Sequence, residues 1–137
     1  MNILQVSLLS LGLSLIPYQL ATAAFDGSSP LLCAAVEAIE CSTSGECTAG
    51  TPESVNIPHF LNIDFKSKKV EAVRHGKETR NSAIRSLERV EGTLVMQGIE
   101  AGRGWSIAIS EETGKLSASI VGNQIGFVVF GACIAAP

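Results

Sequence analysis

WSIAISEETGKLSASIV, residues 105–121, is the stretch whose reading decides the fold. Trp105, Ile107 and Ile109 alternate with Ser106, Ala108 and Ser110, so an extended segment has one apolar and one polar face. Glu111-Glu112-Thr113-Gly114 follows as a turn, with Gly114 suited to a left-handed position. Leu116, Ala118 and Ile120 then alternate with Ser117, Ser119 and Val121, and the whole predicts a β-hairpin.

The same period extends outward in both directions. Downstream, Ile125 to Cys133 is apolar on both faces, a strand for the inside of a sheet or the closure of a barrel and not for an open edge. Upstream, Leu61, Ile63 and Phe65 alternate with Asn62, Asp64 and Lys66. Ser67-Lys68 turns that segment into Lys69 to Val73, and Glu91-Gly92 turns Arg80–Val90 into Thr93 to Gln97. Two segments admit a helix as well. Ser29-Pro30 before Leu31 to Glu37 has the form of a capped helix start, and Ile84 with Leu87 in 81–91 fits either period. The short hairpin connections around both favour strands. The expectation is an all-β chain of seven to nine antiparallel strands in meander order, forming a small up-and-down barrel or a strongly curved sheet. An open sandwich is the alternative.

Ahead of this domain, Ile3 to Ile16 is apolar apart from Gln5, three serines and a glycine, and Pro17 ends the run. Ala21-x-Ala23 supplies the small side chains that signal peptidase requires. Residues 1–23 are therefore expected to be a cleaved signal peptide, with cleavage after Ala24 as the neighbouring alternative and with no Lys or Arg before the apolar run. Residues 24–137 then form one mature domain without a transmembrane segment, destined for the periplasm or the extracellular space.

Cys33, Cys41, Cys47 and Cys133 all lie in that mature part, and an exported small domain with an even cysteine count is expected to be disulfide-linked. Three pairings are possible. CSTSGEC, residues 41–47, has the form of a tight turn and favours Cys41–Cys47, which leaves Cys33–Cys133 to tie the first strand to the last. Spacings of seven and five intervening residues do not suit a zinc site, so no metal is expected.

The C-x7-C-x5-C opening, Gly104-Trp105-Ser106, Thr113-Gly114-Lys115 and the Phe130-Gly131-Ala132-Cys133 ending resemble a group of small exported bacterial proteins of no assigned function. The resemblance spans nearly all of the mature chain and implies neither an activity nor site residues. A lipocalin-like comparison stays at architecture, because those proteins carry Gly-x-Trp on the first strand and Gly104-Trp105 comes late.

No catalytic residues stand out. There is no G-x-S-x-G, no P-loop and no G-x-G-x-x-G, and His59 and His75 lack flanking patterns that mark a base. His59 is expected to pack at the start of its strand, and His75-Gly76 to sit at an exposed turn. No cofactor is expected. The charge distribution is uneven: residues 24–65 hold six acids and no base, whereas 66–89 hold eight of the ten bases. Within that stretch Lys66, Lys68, Lys69, Arg74 and Lys77 form a candidate patch for an anionic partner, or a solvated hairpin paired with the acidic first third. Nucleic acid is not an expected partner, because the basic stretch has no interleaved aromatics. Trp105, Met96 and Phe127 are candidates to line a ligand cavity or to fill the core. The first reading of function is a non-catalytic module binding a small apolar or amphipathic ligand. The second is an interaction or inhibitor module for an envelope or extracellular protein, and the third an enzyme.

Overall fold

Alternating apolar residues require a sheet with one dry face, and the computed structural model, which describes residues 25–73 and 80–137, supplies it. In chain order the strands are β1 (Leu31–Ser42), β2 (Cys47–Gly50), β3 (Phe60–Asp64), β4 (Lys69–Val73), β5 (Arg80–Ala83), β6 (Ser86–Val90), β7 (Thr93–Glu100), β8 (Arg103–Ser110), β9 (Lys115–Gly122) and β10 (Ile125–Ala135). A single 3-10 turn, Pro52–Val55, separates β2 from β3. All pairings are antiparallel, in the order β5-β4-β3-β1-β10-β9-β8-β7-β6, with β2 also on β1. The chain is all-β, a curled half-barrel, as the hairpin pattern predicts. Leu31–Ser42 is a strand and not a capped helix. The apolar β10 lies inside the sheet, between β1 and β9.

Both ends of the sheet lie on one stretch of chain. β5 is one edge and β6 the other, and only Ile84 and Arg85 separate them. The Ile84 amide donates to the Lys68 carbonyl (2.9 Å) and so extends the β4 ladder. The next amide, Arg85, donates to the Gln97 carbonyl (2.8 Å) of β7. A strand that changes neighbour in mid-course thus leaves short, occupied edges in place of one long open one. The region between β2 and β3 is a second interruption. Both strands lie antiparallel on the same side of β1, β3 beside Leu31–Ala34 and β2 beside Ala38–Cys41. Between these stations β1 bulges at Val36, and the Ala35 amide donates to the carbonyl of His59. Across the bulge β10 comes so close that a Cβ on Gly131 would collide with the Ala34 carbonyl, so only glycine fits.

Inward-facing side chains stack in levels along the half-barrel. Leu31, Ile63, Ile84, Leu94, Met96 and Ile109 pack at one end and are all buried. Phe25 and Phe65 cover that end, and Arg89 fixes the covering segment by donating to the Asp26 carbonyl (2.6 Å) while pairing with Glu111. Above this layer lies the disulfide Cys33–Cys133, whose two residues are direct partners in the β1–β10 register. Cys41–Cys47 closes the β1–β2 hairpin. Both linkages are those favoured from the sequence, and both are compatible with an oxidising, exported environment.

The long bridge closes a loop with a sequence separation of 100 residues, and the short one of 6. Loop-closure entropy assigns about 4–5 kcal/mol to the first and about 2 kcal/mol to the second. Replacing Cys33 and Cys133 together by Ala is therefore expected to lower the unfolding free energy by several kcal/mol, and replacing Cys41 and Cys47 by clearly less. Urea titrations of the two double variants check this order.

Candidate functional site

Above the packed layer the inward positions become small. Ala35 on β1, Ala72 on β4, Ser82 on β5 and Ala118 on β9 line the space beside the rings of Trp105 and Phe127. These four short side chains leave room between the walls of the sheet. A cavity of about 310 Å³ results. Its floor is Cys33, Leu61, Val70, Ile107 and Leu116, and its walls include Trp105, Ala118, Ile120, Phe127 and Val129. The segment after the 3-10 turn, Asn56 to Pro58, leans over one side of the mouth, and Val55 and Ile57 pack against Ala35, Ala38 and Val129. Arg80, Glu100 and Arg103 stand at the mouth.

Trp105 is both wall and fastening. Its indole N–H donates to the Ser82 hydroxyl at 2.8 Å, which reaches from β8 across β7 to β5. The ring passes directly over Gly98, its cross-strand partner. A Cβ at Gly98 would collide with the indole and would lie 2.6 Å from the Ala83 carbonyl. Glycine is thus required here for close approach, with the aromatic ring covering the backbone it leaves bare. The ring also satisfies Ser82, the buried polar side chain of this layer.

The residues singled out from the sequence separate in space. Trp105 and Phe127 line the cavity. Met96 faces inward as they do but lies one level deeper, fully buried in the packed core, and does not line the cavity. Lys66, Lys68 and Lys69 lie at the exposed β3–β4 turn, remote from the mouth, and Arg74 and Lys77 lie outside the described residues, as does His75. The expected pairing of the basic stretch with the acidic first third takes another form. Arg80 pairs with Glu100 and Arg89 with Glu111, both carboxylates of the last third, because those strands are its neighbours across the sheet ends. The β3–β4 turn is held by Asp64, whose carboxylate accepts the amides of Lys66 and Ser67. Those bonds, the Ser67 amide foremost, hold its pKa below the usual aspartate value.

His59 does not pack into the core as expected. Its side chain is 45% exposed, its Nδ1 pairs with Glu53, and its ring meets Phe60 edge-on. The 3-10 turn brings Glu53 alongside it, and Phe60, next in the chain, is also largely exposed. The small residues around the cavity and its charged mouth are features that sequence reading did not identify. The alternation of Ala118 with Ser117 and Ser119 marked one inward position. That the others surround the same space follows only from the curl of the sheet. Among the described residues, no group of three or more His, Cys, Asp or Glu side chains is placed to hold a metal ion, and no helix is long and apolar enough to cross a membrane.

Compared with known proteins, the chain matches no family model and shows no significant similarity to any curated protein. The functional reading therefore rests on the cavity itself.

Gly98→Val places a branched side chain where the indole lies and is expected to cost about 1–3 kcal/mol as overpacking. It also pushes Trp105 off Ser82, so the fluorescence maximum of this single tryptophan shifts to the red. Ser82→Ala leaves the indole N–H without its partner and is expected to be destabilising by about 1–3 kcal/mol with a smaller spectral change. Denaturant titration followed by tryptophan emission measures both.

Proposed function

We propose that the protein is a non-catalytic, exported binding protein that holds a small apolar or amphipathic ligand inside its half-barrel. The observation that carries this reading is the cavity of about 310 Å³, mainly apolar on floor and walls, enclosed by the inner face of the half-barrel beside Trp105. Small-molecule sites are typically concave and mainly apolar, with a few placed polar groups, and their volumes begin at about 300 Å³. The polar groups here are Ser82 with the indole N–H in the wall, and Asn56 with three charged side chains at the mouth. A void of this size costs stability relative to a filled one. A chain that lines this space with Ala35, Ala72, Ser82 and Ala118, beside a tryptophan held by Ser82, forgoes that stability for space.

Export is part of the proposal. Residues 1–23, read as a signal peptide, lie outside the described residues. Two disulfides support an oxidising destination. A second reading, a contact module for another protein, is favoured by the outer face of β1 and β10. Val36, Val128, Phe130 and Ile134 are exposed there, at 39–67% of their free surface.

Ala118→Leu and Ala72→Leu fill the cavity from two walls. Both variants are expected to fold with stability raised by up to about 1–2 kcal/mol. Titration with 1-octanol is expected to change Trp105 emission in the native protein, and either variant is expected to bind it about tenfold more weakly or worse. Equal binding by native and filled variants places the ligand elsewhere and rejects the cavity as its site.

A further inference from the structure

We propose that the ligand is a short-chain amphipathic carboxylate, seated tail-in with its carboxylate on Arg103. This rests on the reading of the cavity as a ligand site and adds the chemistry of the ligand's head.

The three charges at the mouth are not equivalent. Arg80 Nε lies 3.6 Å from Glu100 Oε1, so these two side chains compensate each other. Arg103, opposite Glu100 in the β7–β8 register, has no carboxylate within ion-pair distance among the described residues. The side chain is exposed and lies along the cavity wall. The guanidinium carbon lies 5.9 Å from the centroid of the Phe127 ring, and the stem runs so close to Gly122 that a Cβ there would sit 3.0 Å from Arg103 Cγ. One face of the guanidinium is thus turned to an aromatic wall of the cavity, while its donors remain available at the rim.

This arrangement discriminates among amphiphiles. An apolar tail enters a space bounded by Ile107, Ala118, Ile120 and Phe127. A planar carboxylate matches the fork of guanidinium donors, at a depth where it keeps contact with water and escapes the full cost of burying a charge. An ammonium head meets Arg103 with like charge, and a hydroxyl head gains only a neutral hydrogen bond. The volume of about 310 Å³ lies at the small end of ligand sites, which suits a short-chain amphiphile.

Three ligands of one tail length test the head directly: octanoate, 1-octanol and octylammonium, each titrated at neutral pH with Trp105 emission and calorimetry as readouts. Octanoate is expected to bind about tenfold more tightly than octanol, and octylammonium more weakly than octanol. Arg103→Met is expected to abolish the advantage of octanoate over octanol, with an unchanged far-UV circular dichroism spectrum reporting that the variant is folded. Octanol and octanoate binding equally well, or an Arg103→Met variant that keeps the preference, overturns the assignment of the head while leaving the cavity as a ligand site. Binding of none of the three overturns both readings.

Discussion

A sheet curled into a half-barrel must dispose of two edges, and here one stretch of chain occupies both. Residues 80–90 extend the β4 ladder with their first half and the β7 ladder with their second, changing neighbour between Ile84 and Arg85. Everything inside depends on that junction. Were β5 and β6 to separate, the inward faces of β4 and β7 would open to water, and the layered core would lose part of its wall. The junction is fastened from within by the Trp105–Ser82 hydrogen bond, which crosses β7 at the one residue bare enough to let the ring pass. Diametrically, the first and last strands form the longest pairing, and the Cys33–Cys133 bridge fixes it at the level of the cavity floor.

The same two devices explain why the interior can afford an unfilled level. Packing loss around a cavity of this size is destabilising. A buried crosslink that closes a long loop restricts the unfolded chain and offsets that loss. The layer below, from Leu31 to Ile109, is fully apolar and capped by Phe25 and Phe65, so it supports the walls without help from the level above. Stability is thereby concentrated at one end, and space at the other. The charged mouth follows from topology as well, since Arg80, Glu100 and Arg103 are the terminal residues of three strands that end on the same rim.

Much of this was legible in the sequence. In β8 and β9 the inward set is the set that alternation marks, and β10, apolar on both faces, does lie between two neighbours. The tight 41–47 turn disclosed one bridge and, by remainder, the other. The double allegiance of residues 80–90 was not legible. Ser82 and Ile84 face inward at a spacing of two, but Leu87 lies 39% exposed after the neighbour change, so a single period cannot describe the segment. β2 carries too short and too polar a sequence, CTAG, to announce a strand, and the bulge at Val36 shifts the face of everything after it in β1. The cavity escaped for a related reason. Ala35, Ala72, Ser82 and Ala118 lie on four different strands, and only the curl of the sheet brings them around one space. Met96 shows the limit from the other side: it was a candidate for the cavity or the core, and only the fold places it in the core.

The claim on which the account turns is that the cavity is space and not slack that side chains collapse into. Diffraction from a crystal pressurised with xenon tests it most directly, because an apolar cavity of sufficient size takes up the gas in a fixed position. The account predicts a xenon site bounded by Ala72, Trp105, Ala118 and Phe127, with Trp105 still bonded to Ser82. A structure in which those side chains have closed on one another, with no xenon between them, would contradict it.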